Sequence, residues 1–283
     1  MCLHVQAETA KVFWPAGSTL SLLIRMKTTS ILHRTFWALL PATLLLAACS
    51  KADTPAPAPA DTGSVLFVNA AANIFVGIKA LVNADDKGTL TYGANSGGAS
   101  AQYLAVPVGT PVIKIDNAAA GTNFFSQTVT VAKDQRYSYF VFSNSTDVNA
   151  APTGLLVPDD LSAPTIAGKA KIRLVHVAFG FPAPAGALSL SQSQPIGFQP
   201  ITTAVTFPGA SGFAEINPGA ANLLVTTGVS PTGQTVANVG DGTGTGTGTK
   251  NYEAGKSYTI VVRGVAGNQD PSRQPKAFVI QNN

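Results

Sequence analysis

The body of this chain is one β-rich pattern that occurs twice. Three motifs of the first half return in the same order in the second half, at a spacing of roughly 105 to 120 residues. The matched pairs are residues 64–70 with 171–177, residues 103–109 with 213–219, and residues 131–141 with 252–262. Short β-branched and aromatic runs are separated by Gly, Pro, Asn and Asp, and no convincing long stretch has a helical period. The pattern predicts a duplicated all-β domain.

Each half has the length and strand content of an ordinary β-sandwich, with about seven short strands. We therefore predict two tandem Ig-like antiparallel β-sandwich domains at residues 64–157 and 171–283, with a linker at 158–170. One large closed sheet is the less favoured alternative. Each sandwich is expected to depend on its own apolar core, for which ~100 residues suffice. In the first half we expect strands at residues 65–69, 74–81, 89–92, 102–106, 111–115, 126–131 and 137–142, and turns at 85–88 and 93–98.

A leader precedes this body. Residues 26–34 carry positive charge and residues 36–46 are apolar, which is typical of a secretory signal peptide. The apolar run is shorter than the ~20 residues that a membrane-spanning helix needs. It ends in Leu46-Ala47-Ala48-Cys49, which resembles the bacterial lipoprotein box. The resemblance implies cleavage between Ala48 and Cys49, diacylglycerol transfer to the Cys49 thiol, and acylation of the new amino terminus by a chain such as palmitate.

The first 63 residues are predicted to consist of three parts. Residues 26–48 are predicted as a lipoprotein signal peptide, and residues 1–25, which have no role in such a leader, as an upstream artefact of the reading frame. Residues 49–63 contain alternating prolines that favour an extended polyproline II tether of ~3 Å per residue. A buried core helix that ends in cysteine is the alternative. We expect the outer membrane, reached through the lipid anchor at Cys49, to be one partner, with the body at the periplasmic or cell-surface face.

The charge of the body differs from that of the whole chain. The chain has 18 Lys and Arg against 14 Asp and Glu, a net charge of +4. Residues 1–48 hold four of these bases and one of the acids, so the body is close to neutral. Without a basic patch, nucleic-acid binding loses its electrostatic basis and is not expected.

The body offers few groups for catalysis. After the predicted cleavage site the chain has one cysteine, Cys49, and one histidine, His176, so an ordinary zinc site lacks ligands. His176 shares a strand face with apolar residues and no Gly-x-Ser-x-Gly motif is present, so a structural role is favoured over a Ser-His-Asp hydrolase. Asp85-Asp86 and Asp159-Asp160 are interpreted as solvated turns rather than as an acid/base pair or a calcium loop. We predict no catalytic residue, no metal site and no cofactor.

Two further features have a functional and a structural interpretation. Residues 241–250 alternate Gly and Thr, but they lack the Gly-Lys order of a phosphate-binding loop, so a flexible, protease-sensitive hairpin loop is preferred. Several phenylalanines in or near predicted loops are able to stack on sugar rings or enter partner pockets, although packing over the core is preferred. These are Phe124, Phe125, Phe179, Phe181 and Phe198.

The junction between the halves carries a family resemblance. Asp159-Asp160-Leu161 followed by residues 168–176 resembles the DUF4397 family of bacterial surface and periplasmic lipoproteins, as do Pro218-Gly219 and residues 254–259. The resemblance is closest over residues 168–264 and weaker over residues 64–157, and the chain departs from it after His176. It implies a β-sandwich without an established activity.

These patterns together favour a lipid-anchored envelope protein that is not an enzyme and that acts as an interaction or structural module. The alternative is a glycan-binding surface lipoprotein or adhesin that uses its loop aromatics. The protein or glycan that such a module would bind is left open by the sequence.

Overall fold

A computed structural model describes residues 60–98, 100–147, 150–181, 186–227 and 233–283. The predicted signal peptide, Ala48, Cys49 and most of the tether lie outside these residues. The described residues all belong to one compact unit. They form nineteen strands, and no helix among them is long and apolar enough to cross a membrane.

Two four-stranded sheets form the first sandwich. Its strands are β1 (Thr62–Ala70), β2 (Ile78–Val82), β3 (Asp85–Leu90), β4 (Leu104–Pro107), β5 (Val112–Asn117), β6 (Asn123–Thr128), β7 (Arg136–Phe142) and β8 (Thr153–Pro158). The sheet orders are β4-β1-β7-β8 and β3-β2-β5-β6. Because successive side chains of a strand point to opposite faces, alternate residues such as Val65 and Phe67 of β1 and Ile113 and Ile115 of β5 meet in the core between the sheets.

The second sandwich repeats this order. Its strands are β9 (Ala170–Phe179), β10 (Leu188–Ser193), β11 (Phe198–Pro200), β12 (Gly209–Ala210), β13 (Ala214–Ile216), β14 (Gly219–Ala221), β15 (Leu223–Thr227), β16 (Thr235–Asn238), β17 (Lys250–Tyr252), β18 (Ser257–Val265) and β19 (Lys276–Gln281). One sheet has the order β12-β9-β18-β19, with β13 also paired to β9, and the other has the order β11-β10-β15-β16. Strand β14 pairs with β17 alone. Each strand of the first sandwich therefore has a counterpart, as the repeated motifs predict.

Each sandwich has a parallel strand pair at its centre. Strand β1 runs parallel to β7, with Ser64 opposite Arg136 and Ala70 opposite Phe142. Strand β9 runs parallel to β18 in the same way. All other pairs of these strands are antiparallel. The prediction of an all-β sandwich fold is confirmed, but the two sheets that contain the parallel pairs are mixed rather than purely antiparallel. The sheets are open rather than one closed sheet.

A third apolar layer joins the two sandwiches. It consists of outward-facing residues of the inner sheets, among them Leu66 and Val68 of β1, Val175 and Val177 of β9, and Val261 of β18, all fully buried. Strands β1, β9 and β18 are consequently buried on both faces along most of their length. Each sandwich has its own core, as expected, but the two also share this layer, so the sheets stack four deep.

Two local predictions in the first sandwich are wrong. Residues 74–77 do not form a strand, because β2 begins at Ile78 and residues 71–77 form a loop. Asp85-Asp86 is not the turn, because β3 begins at Asp85. The turn is formed by Asn83 and Ala84, whose φ angles are 47° and 76°. Asn tolerates this left-handed conformation, and its Oδ1 accepts a hydrogen bond from the Val112 amide at 2.8 Å.

Candidate functional site

The direction of β1 gives the body two functionally different ends. The first sandwich begins at Thr62, close to the end of the predicted tether (residues 49–63), and β1 ends at Ala70. A nine-residue strand spans about 30 Å, so residues 71–77 lie at the far end from the tether. We refer to the end at Thr62 as the tether end and to the end with residues 71–77 as the tip.

At the tether end, Asp159 is buried instead of lying in a solvated turn. Its side chain is 0% exposed and forms an ion pair with Arg173, whose side chain is 1% exposed. The second carboxylate oxygen, Oδ2, accepts hydrogen bonds from the Tyr103 hydroxyl at 2.6 Å and the Ser138 hydroxyl at 2.7 Å. The prediction for this residue was wrong because its basic partner belongs to the next domain, beyond the reach of a local turn pattern.

The hydrogen bonds around Asp159 continue into a closed ring. Arg173 donates from Nε to Thr259 Oγ1 at 3.0 Å, and Thr259 donates to Asn282 Oδ1 at 2.8 Å. Asn282 then donates from Nδ2 to the Tyr103 hydroxyl at 2.9 Å, which closes the ring. Burial and the neighbouring Asp159 charge raise the pKa of Tyr103 well above its usual range. We refer to these groups as the Asp159 network, and it joins the two sandwiches through polar contacts.

The linker is held at the same end by Lys171. Its Nζ donates to Asp160 Oδ2 at 2.9 Å and to the backbone oxygens of Asp160 and Ser162 at 2.9 and 3.2 Å. Hydrogen bonds from Ser162 and Lys171 lower the pKa of Asp160 to about 2. Asp159 and Asp160 thus pair with different cations, which is the arrangement of two structural ion pairs rather than of a shared acid/base site.

His176 lies in the interior of the second sandwich. It is 0% exposed, and its ring packs edge-on against Phe181 and Phe207, with ring centroids 5.9 and 5.7 Å away. Its Nε2 lies 3.0 Å from the Gly186 carbonyl oxygen, an acceptor that requires a proton on Nε2. Burial lowers the pKa of His176 to about 4, so the ring is neutral at pH 7. This is the environment of a structural histidine.

The phenylalanines that the sequence places near loops mostly pack over the cores. Phe124 and Phe125 lie on β6 and contact the first core, and Phe181 contacts the second. Phe198 is buried on β11, and Phe179 packs edge-on against Phe207.

The exposed aromatic residue at the tip is Phe75, which sequence reasoning missed. Its exposure is 61%, and that of the neighbouring Val76 is 37%. Both line a cavity of about 370 Å³ together with Phe124. The strand predicted at residues 74–81 includes both residues because their side chains are apolar. However, the flanking Asn73 and Gly77 are a turn signal that separates them from β2.

A stack of alternating aromatic rings and guanidinium groups crosses the tip. The Arg273 guanidinium lies 4.5 Å from the ring centres of both Phe75 and Tyr92. The Arg263 guanidinium lies 3.9 Å from the ring centre of Tyr92 and 5.3 Å from that of Phe278. Phe75 and Tyr92 belong to the first sandwich and the other three residues to the second. We refer to this stack as the tip ladder.

Arg273 also fixes the exposed loop directly. Its Nη1 donates to the backbone oxygens of Ala72 at 3.1 Å and Ile74 at 2.8 Å. A residue of the second sandwich therefore positions the apolar loop of the first. Exposed apolar side chains on a loop that is held in this way are suited to contact with another molecule.

The Gly/Thr segment is a hydrogen-bonded loop on the second sandwich. The Asp241 amide donates to the Thr247 carbonyl at 2.7 Å, and the Val279 amide of β19 donates to the Gly242 carbonyl at 2.9 Å. Glycines occupy every second position from 240 to 248 because each has a positive φ, between 59° and 91°. No helix follows the loop, so the phosphate-binding interpretation has no structural support. Among the described residues, no group of three or more His, Cys, Asp or Glu could hold a metal ion.

The model of the DUF4397 family, a domain of unknown function, matches residues 65–184. A DUF4397 domain is therefore found in this chain, as the resemblance implied. It covers the first sandwich and β9, whereas the motif resemblance was closest over residues 168–264.

A search of curated proteins finds no match. Among solved structures, a candidate cell adhesion protein from Bacteroides eggerthii DSM 20697 is similar, with 13% identity, 80% of this chain and 97% of that chain covered, and a TM-score of 0.25. A similarity at this TM-score does not establish a shared fold.

Proposed function

We propose that this protein is a lipid-anchored envelope protein of the non-enzymatic interaction or structural type. In this proposal Cys49 holds it to the outer membrane, with the body at the periplasmic or cell-surface face. The observation that carries the proposal is the placement of the exposed loop relative to the tether. The tether joins β1 at Thr62, and the exposed side chains of Phe75 and Val76 lie at the other end of that strand, about 30 Å away.

The connection between the sandwiches supports the same proposal. The shared apolar layer, the Asp159 network and the tip ladder all cross from one sandwich to the other. Groups that would be expected to do chemistry are instead buried, His176 in the interior of the second sandwich and Asp159 in the Asp159 network. A body of this kind would hold its tip at a fixed distance from the membrane.

Lipid labelling tests the anchor. Cys49→Ala is expected to abolish palmitate incorporation and to release or mislocalise the protein. The matched control is Ser50→Ala, which changes the neighbouring residue, keeps the Cys49 thiol and is expected to leave labelling unchanged. Undiminished labelling of Cys49→Ala would refute the anchor. Protease shaving of intact cells then shows which face of the membrane the body occupies.

The alternative function, a glycan-binding lipoprotein or adhesin, is favoured by Phe75 in particular. An aromatic ring that is 61% exposed beside a cavity offers a surface on which a sugar ring can stack. A glycan array probed with the full chain tests this alternative. Binding that Phe75→Ser abolishes and Ile196→Ser leaves intact is the expected result, because Ile196 is 87% exposed on the other sandwich. An array without any binding would refute the glycan hypothesis and would not affect the proposal of an anchored interaction module.

A further inference from the structure

Arg263 is a buried cation at the tip without an acidic partner. It lies on β18 and is 9% exposed. Arginine keeps its charge at every pH that proteins tolerate. The ion pairs of the described residues do not include Arg263. The nearby Asp270 lies 4.0 Å from Arg273 Nε and is itself 45% exposed. Arg173, which is 1% exposed, has Asp159 as its counter-ion.

The tip ladder contacts the faces of the Arg263 guanidinium and leaves its edge without acceptors. Tyr92 and Phe278 provide aromatic rings 3.9 and 5.3 Å from the guanidinium carbon. The N–H groups, however, point outward in the plane of the group, where an acceptor is needed. Nε and Nη1 are buried and have no hydrogen-bond partner, and the same is true of the Tyr92 hydroxyl. Three donors of one small region are therefore unsatisfied.

Two glycines lie close to the remaining nitrogen, Nη2. A Cβ on Gly93 would lie 2.7 Å from Arg263 Nη2, and a Cβ on Gly244 would lie 3.6 Å from it. Gly93 belongs to the first sandwich and Gly244 to the Gly/Thr loop of the second, so the edge of the guanidinium faces the seam between them. The guanidinium thus packs directly against Gly93, and a side chain at position 93 would collide with it.

We propose that the Arg263 guanidinium, together with the Tyr92 hydroxyl, is a binding site for a carboxylate group. A carboxylate is planar and accepts two parallel hydrogen bonds from a guanidinium, and a phenol donates a third. Its negative charge supplies the counter-ion that Arg263 lacks, and Arg273 adds a second positive charge nearby. The site is formed by both sandwiches, so carboxylate binding also favours their docked arrangement. This inference goes beyond the proposed function and does not depend on the lipid anchor.

Thermal unfolding of the full chain in detergent tests the site. Acetate, glucuronate and sulfate are each compared with chloride at equal ionic strength, so that general screening is matched. A ligand that binds only the folded state stabilises it by an amount that grows with the logarithm of its concentration once that concentration exceeds Kd. Acetate or glucuronate is therefore expected to raise Tm with this logarithmic dependence. A response to glucuronate at much lower concentration than to acetate indicates a saccharide-borne carboxylate, and equal responses indicate a free one. A response to sulfate alone would overturn the assignment to a carboxylate.

Three variants locate the effect. Arg263→Met keeps the apolar stem and removes the charge, so it is expected to abolish the carboxylate response. Tyr92→Phe removes only the hydroxyl and is expected to raise the apparent Kd for the carboxylate roughly 2- to 10-fold. The matched control is Arg136→Met, which removes an exposed arginine at the tether end and is expected to keep the full response.

Two results would overturn the proposal. The first is a carboxylate response of the same size in the wild type and in Arg263→Met. The second is a Tm of the wild type that neither acetate nor glucuronate raises relative to chloride, which would mean that Arg263 is satisfied within the protein. If Arg263→Met does not fold, calorimetric titration of the wild type and of Tyr92→Phe decides the matter, and equal affinities would count against the site.

Discussion

The Asp159 network allows a sharp test of how the two sandwiches are joined. In Asp159→Ala the Arg173 guanidinium loses its counter-ion while it stays 1% exposed, and the hydroxyls of Tyr103 and Ser138 lose their acceptor. Removing one partner of a buried ion pair costs about 3–5 kcal/mol, because the other charge is left uncompensated. We expect the free energy of unfolding to fall by about 4 kcal/mol.

A double variant distinguishes the cost of an unpaired buried charge from the loss of the contact between the two side chains. Asp159→Leu combined with Arg173→Met replaces the pair by apolar side chains of similar size, and such replacements are often neutral. We expect the double variant to lose less than about 2 kcal/mol, well below the sum of the single losses. Urea unfolding followed by far-ultraviolet circular dichroism measures each value. The matched control is Asp85→Ala, which removes an exposed carboxylate of β3 and is expected to change stability by less than about 0.5 kcal/mol.

The reasoning fails if Asp159→Ala costs less than about 1 kcal/mol, or if the losses of the two single variants simply add in the double variant. Either result would mean that the ring of hydrogen bonds does not hold the sandwiches together. The wild type is also expected to unfold in one transition, because the shared apolar layer belongs to both sandwiches.

Two further predictions concern single residues. Because burial lowers the pKa of His176 to about 4, the unfolded state binds a proton first as the pH falls below 6.5. Stability is therefore expected to fall by about 3 kcal/mol between pH 7 and pH 4, and denaturation of His176→Gln, compared at both pH values, should lack this loss. Gly154→Ala would place its Cβ against the Tyr139 hydroxyl and is expected to cost about 1–3 kcal/mol. Gly212→Ala, where a Cβ meets nothing within 4 Å, is its thermal-unfolding control, and equal Tm values would contradict the clash.

The duplicated sandwich could be predicted because its strands repeat the same local patterns. The direction of strand pairing could not be predicted, because the alternation of apolar residues within β1 does not show whether β7 lies parallel or antiparallel to it. One strand reflects the shared apolar layer: β9 is buried along nearly its whole length, as is typical of a strand covered on both faces. In the sequence, however, Lys171 and Arg173 lie within β9, and their charges favour the prediction that one face of this strand is exposed to solvent. Arg173 is buried because Asp159, outside the strand, neutralises it.

The tip could not be predicted for a related reason. Phe75 and Val76 have the composition of a buried strand, and only the packing of the neighbouring loops leaves them exposed. The tip ladder joins residues that are far apart in the chain, such as Tyr92 and Arg263. Single-sequence patterns hold no information about such pairs. The cores, by contrast, follow directly from the period-2 alternation of apolar residues.

The central position of β1 has a mechanical consequence for an anchored protein. Strand β1 is bonded to β4 on one edge and to β7 on the other, from Ser64 opposite Arg136 to Ala70 opposite Phe142. A pull between the tether at Thr62 and a contact at the tip is directed along this strand. The inter-strand hydrogen bonds lie across that direction, so they are loaded in shear and share the force, instead of opening one after another as in a peeled edge strand. Resistance to a sustained pull depends on the rate of unfolding rather than on its equilibrium. In the proposed anchored protein, tension between membrane and tip would therefore act along a strand that is bonded on both edges.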